Sequence, residues 1–207
     1  MPASFEAYQE ELADRATAGL DRTYVVKAKI ARVLETRQAE EAKRAIDKEL
    51  MIAVCQGTWK EVKDLLARGA NPNYKDGNTL NVLSSAVFGR RGDIAKHLID
   101  HGADVNQRND DGTTPLMVAG FWCGESLQLI AFLLNRGADI NAVDGHGSTT
   151  LMRAIHLRRY GQARFLIERG ADVKVKDLSG KTALDLLKYV RGEAARELRK
   201  MLKQRTR

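Results

Sequence analysis

The chain is short of the residues that mark several protein classes. Its 207 residues include three prolines and two cysteines, Cys55 and Cys123. So few prolines argue against a Pro-rich linker, and two cysteines make no disulfide framework but fit free thiols in a reducing compartment. No window approaches the ~18 continuous apolar residues of a membrane helix. The N-terminus, MPASFEAYQEELADRA, is acidic and has no apolar stretch of the secretory kind, so the expected location is cytoplasmic. Groupings that carry chemistry are scarce as well. His97 and His101 are four residues apart but lack the adjacent Glu of a metalloprotease helix. There is no Gly-rich phosphate loop, because pieces such as VDGHG recur as turns. A nucleophilic cysteine would need a nearby base and a low-pKa setting, and Cys55 and Cys123 are read instead as free thiols in different units. The sequence therefore predicts no enzyme, no metal and no cofactor.

Charge is present but unevenly placed. The formal net charge is +7. Residues 1–46 hold eight basic and eight acidic side chains, and residues 47–169 hold fifteen and fourteen. Residues 170–207 hold eleven basic against five acidic, ending RELRKMLKQRTR. The basic character is thus a local property of the C-terminus, where a solvated helix face is expected.

What the chain does have is an internal repeat. RGANPN, HGADVN, RGADIN and RGADVK place Gly69, Gly102, Gly137 and Gly170 at intervals of 33, 35 and 33. Each glycine follows an apolar pair: Leu65-Leu66, Leu98-Ile99, Leu133-Leu134 and Leu166-Ile167. Twelve residues after the last three glycines stand Thr114, Thr149 and Thr182. A glycine after a helical pattern supplies the left-handed cap that ends it. The Asn/Asp run after it suits tight turns, in which these side chains bond their own backbone. The threonine then caps the next helix, with Pro115 just inside one of them, where a missing N–H is harmless. Each unit has one apolar face per helix, so units must stack to bury it.

This pattern resembles the ankyrin repeat, with DGTTPLMVA and GADVN as the nearest matches. The resemblance implies an all-α solenoid of helix-turn-helix units with short hairpin turns. It covers residues 47–207 in about five units: 47–68, 69–101, 102–136, 137–169 and 170–207. Two departures stand out. The positions of the family's signature His hold Met51, Ser84, Met117, Met152 and Asp185, which predicts looser turns. Asn81 replaces the capping Thr in the second unit, whose hairpin should be irregular. Ahead of the repeats, residues 1–46 form an N-terminal helical extension, read as two helices joined near Gly19-Leu20-Asp21. Phe5, Tyr8, Leu12 and Ala16, then Val26, Ile30, Val33 and Leu34, fall at helical spacing. Their stripe is expected to cover the first repeat or to bind a partner.

Function is expected at positions that neither cap nor core requires. At the ends of the first helices these include Phe88, Phe121, Trp122, His156 and Tyr189, an aromatic row across four units. At the turn tips they include Lys75, Asn78, Arg108, Asp110, Asp111, His146 and Lys176. Exposed aromatic anchors suit a protein hot spot. The resemblance implies a concave surface on this side. The reading is a non-catalytic protein-binding module, an adapter or enzyme inhibitor, monomeric when free, with a protein partner in the groove. The alternative is binding of nucleic acid or an anionic membrane surface through the basic C-terminal helix, separable by its steep salt dependence.

Overall fold

The computed structural model describes residues 22–77, 80–122, 127–188 and 190–206. The chain divides into two compact units, Met1–Ile46 and Asp47–Arg207. Helix α1 (Arg22–Gln56) begins in the first unit, and no Gly or Pro interrupts it. Val26, Ile30, Val33 and Leu34 on it are each more than half exposed. The helix expected over Phe5 to Ala16 and the joint at residues 19–21 lie outside the described residues.

In the second unit, five helix pairs follow one another. The end of α1 precedes α2 (Trp59–Ala67), and α3 (Val82–Phe88) precedes α4 (Gly92–Asp100). The next pairs are α5 (Pro115–Trp122) with α6 (Leu127–Asn135) and α7 (Thr150–His156) with α8 (Tyr160–Glu168). The last is α9 (Ala183–Leu186) with α10 (Glu193–Thr206). First helices pack side by side, α3 on α5, α5 on α7 and α7 on α9. The described residues form no strand, only an isolated antiparallel bridge between Val143 and Thr149.

The boundaries follow from the local chemistry. Asn81, Thr149 and Thr182 accept the N–H of Ser84, Met152 and Asp185, satisfying helix-start donors that would otherwise lack partners. Thr58 and Glu61 form a capping box at the start of α2. At the other end, Gly102 sits at φ 91°, its N–H bonded to Ile99 O at 3.1 Å, while Ala103 N–H reaches Leu98 O at 2.9 Å. This double bond requires a left-handed residue at the corner, and Gly69, Gly137 and Gly170 repeat it. Ile94, Leu98, Leu116, Ala119, Ile130, Leu133, Leu151 and Leu166 are fully buried between the layers. Leu129 and Leu134 are only half-buried.

The turns are not loosened by the missing His. Asn73 Oδ1 accepts Asp104 N–H at 2.7 Å, and its Nδ2 donates to Gly102 O at 2.8 Å. Asn106 makes the same pair of bonds to Asp139 N–H (2.7 Å) and Gly137 O (3.0 Å), and Asn141 accepts Asp172 N–H at 2.7 Å. Asp47 begins the series by accepting Asn71 N–H at 2.6 Å. A side chain at this position thus clasps each unit to the backbone of the next. Lys174 stands where the next Asn would be, in the last unit. Hairpin tips add backbone links, Gly145 N–H to Asp111 O at 3.0 Å and Leu178 N–H to His146 O at 3.1 Å. In the second unit, buried Asn81 bonds Asn109 Oδ1 through its N–H at 2.9 Å and Gln107 O through Nδ2 at 2.9 Å. Residues 78–79 of that hairpin lie outside the described residues.

Candidate functional site

The first helices and hairpins of units two to four enclose a hollow of about 240 Å³. Its floor is Met117 and Val118, both nearly inaccessible in α5, and its walls include Leu80, Phe88 and Phe121. Phe88 ends α3 and is 48% exposed, while Phe121 on α5 is half-buried. Asp111, Thr113 and Arg153 supply the polar part of the rim.

Two short-range devices fix that rim. Asp111 Oδ1 accepts both the N–H (2.9 Å) and the hydroxyl (2.6 Å) of Thr113. Arg153, from α7, is gripped along one edge by Asp144, with Nε at 2.5 Å and Nη2 also paired. Its guanidinium carbon lies over the Phe121 ring, 5.3 Å from the centroid and within cation–π range. Burial alone would push the Asp144 carboxyl up. Hydrogen bonds from Ser148 N–H, Arg153 and His146 N–H outweigh that and hold it below the usual carboxylate range. The pair is thus ionised, and Arg153 is held in one orientation.

The structure brings together two members of the expected aromatic row, Phe88 and Phe121. His156 is exposed at the end of α7 and lines a second hollow, of about 660 Å³, with Arg158, Lys181, Asp185 and Lys188. Tyr189, Asn78 and the side chain of Trp122 lie outside the described residues, as does Cys123.

Several tip residues are engaged within the array itself. Lys75 pairs with Asp110, and Arg108 donates to Gly112 O (3.0 Å) and Val143 O (2.5 Å). His146 uses its backbone to bond Asp144 and Leu178. Lys176 is exposed. Sequence reasoning missed Leu80, Met117, Val118 and Arg153 as site residues. The available signal was Arg153 in TTLMRA, a cation where the preceding units place Val118 and Ser85.

Among the described residues no group of three His, Cys, Asp or Glu side chains could hold a metal ion. No described helix is long and apolar enough to cross a membrane. The hollow has an apolar floor and a fixed cation at its edge, which suits an inserted side chain.

Family models described as ankyrin repeats match residues 50–144 and 133–187. The putative ankyrin repeat protein FPV222 of fowlpox virus (strain NVSL) is 41% identical over 63 residues, 30% of this chain and 8% of that protein. The human transient receptor potential cation channel subfamily A member 1 is 38% identical over 71 residues, 34% of this chain and 6% of that protein. The mouse 2-5A-dependent ribonuclease is 39% identical over 75 residues, 36% of this chain and 10% of that protein. The chain thus spans a tenth or less of these relatives.

Proposed function

Because the chain belongs to the ankyrin-repeat family, whose repeats generally mediate protein–protein interaction, we propose that it is a non-catalytic binding module with a protein partner in its concave groove. One observation carries this reading: Phe88 and Phe121 share an open apolar hollow over the buried Met117. Large side chains at such a site offer contact area at low entropy cost, as interface anchors do. Trp122, Tyr189, Asn78 and the tip residues extend the same proposed surface. In this reading the chain works in the cytoplasm as an adapter or enzyme inhibitor, monomeric when free. Residues 1–46 form a helical extension ahead of a five-unit domain, 47–207.

The test is capture of partners from native cells, read by mass spectrometry, with wild type and Phe88→Ala/Phe121→Ala. The variant should keep its helical spectrum and lose the partner, with an affinity cost above ~2 kcal/mol. Capture that survives the double substitution overturns the groove.

A second reading draws on α10, where Arg196, Arg199, Lys200 and Lys203 line one basic hollow. Such a surface suits nucleic acid or an anionic membrane. Its binding would weaken steeply with salt and disappear in Arg199→Gln/Lys200→Gln/Lys203→Gln/Arg205→Gln, while ignoring the phenylalanines.

A further inference from the structure

The two hollows flanking α7 differ sharply in chemistry, and together they narrow the kind of partner. The first is an apolar slot with Arg153 at its edge. The second holds Arg158, Lys181 and Lys188 against a single carboxylate, Asp185. That carboxylate is already committed to its own helix start. Asp185 Oδ2 accepts the N–H (2.9 Å) and the hydroxyl (2.7 Å) of Thr182. The second hollow is therefore a cationic site.

Arg153 adds a constraint on backbone. Its bonds to Asp144 use Nε and Nη2, so Nη1 is not spent on that carboxylate. A fixed donor beside an apolar slot suits a main-chain carbonyl next to the inserted side chain. Interior carbonyls of a helix are already bonded within the helix, whereas an extended segment has unspent ones.

Spacing follows from the stack. Neighbouring helices lie ~8–10 Å apart. The slot is floored by α5 and the cationic hollow lies between α7 and α9, so their centres are roughly 10–15 Å apart. An extended chain advances about 3.3 Å per residue, which makes three to four positions.

Resting on the protein-binding reading above, we infer that the groove takes an extended partner segment with one large apolar side chain and an Asp or Glu three to four positions away. The apolar side chain fills the slot over Met117. The neighbouring carbonyl accepts from Arg153, and the carboxylate enters the Arg158/Lys181/Lys188 hollow.

A displayed library of random twelve-residue peptides, selected on the whole chain and counted by sequencing, tests this. Peptides enriched over those on Phe88→Ala/Phe121→Ala should carry the apolar residue and the acid at that spacing. Phe88 is exposed, so Phe88→Ala alone serves if the double variant unfolds. Replacing the selected acid by its amide should weaken binding about tenfold on wild type. It should make no difference on Arg158→Gln/Lys181→Gln. Apolar-anchored peptides without an acid preference, or with the acid at a helical spacing of about seven to ten positions, overturn the partner class and leave the groove standing. No enrichment over the phenylalanine variants overturns the groove itself, and this inference with it.

Discussion

Leu133→Ala tests the repeat register most directly. Leu133 is fully buried on α6, while its neighbour Leu134 is half-buried. Truncation removes about three methylene equivalents, worth ~2.4 kcal/mol at ~0.8 kcal/mol each. The site lies in the middle unit, packed from both sides, and collapses poorly, so a cavity penalty adds to this and the total falls within ~2.7–5 kcal/mol. The helix end survives, because the Leu133 carbonyl still accepts Ala138 N–H at 3.0 Å. Leu134→Ala should cost less than half as much, since part of its side chain already meets water. Urea unfolding followed by far-ultraviolet circular dichroism, with slopes compared to confirm the same transition, measures both. For a domain of this size a loss of ~3 kcal/mol lowers the melting temperature by roughly 6–12 °C. Equal losses for the two variants, or a Leu133→Ala loss below ~1 kcal/mol, would refute the register.

Three further outcomes are expected. Arg90 and Arg158 hold left-handed φ values of 56° and 57° at equivalent corners, so Arg90→Gly should be neutral or stabilising by up to ~1 kcal/mol, while β-branched Arg90→Val should cost more than ~1 kcal/mol in urea titration. The Asp144 carboxyl lies below its unfolded range, so its stabilisation is complete above the ordinary carboxylate pKa and is lost as pH falls through the depressed value. Asp144→Asn should therefore lower stability at neutral pH and flatten the acid limb of a pH–stability curve below about pH 4. Cys55 is an exposed free thiol and should take a maleimide label in the native protein without reductant, as mapped by peptide mass spectrometry.

The parts of the fold that were legible in the sequence are those set by short-range rules with few alternatives. A glycine closing a helix at Gly102 and a threonine opening one at Thr149 each answer a local backbone need, so their spacing alone gives the units. Partition within a unit was less legible. Leu133 and Leu134 look identical in sequence, and only the direction of packing decides that the first is buried and the second is not. The aromatic row was half legible. Phe88 and Phe121 recur at one position per unit, but His156 faces the far side of α7, where the cationic hollow begins. Arg153 was missed because its role depends on Asp144, nine residues earlier, reaching across a hairpin.

The turns stay tied without the signature His, and this bears on the site. The missing His removes a hydrogen-bonding residue from the start of each first helix, and looseness should follow if nothing replaced it. Asn73, Asn106 and Asn141, which belong to the repeat pattern itself, still clasp the backbone of the next unit, and Asp47 does so at the front. With the hairpins held by these bonds, the slot at the helix start can hold an apolar side chain. Met117 fills it in the third unit at 1% exposure, directly beneath the Phe88–Phe121 hollow. A polar residue there would need its own partner at the floor of the slot, and a burial cost would follow if it found none. The same substitution that departs from the repeat pattern thus gives the slot its apolar floor, and the asparagine clasps keep the hairpins in register around it.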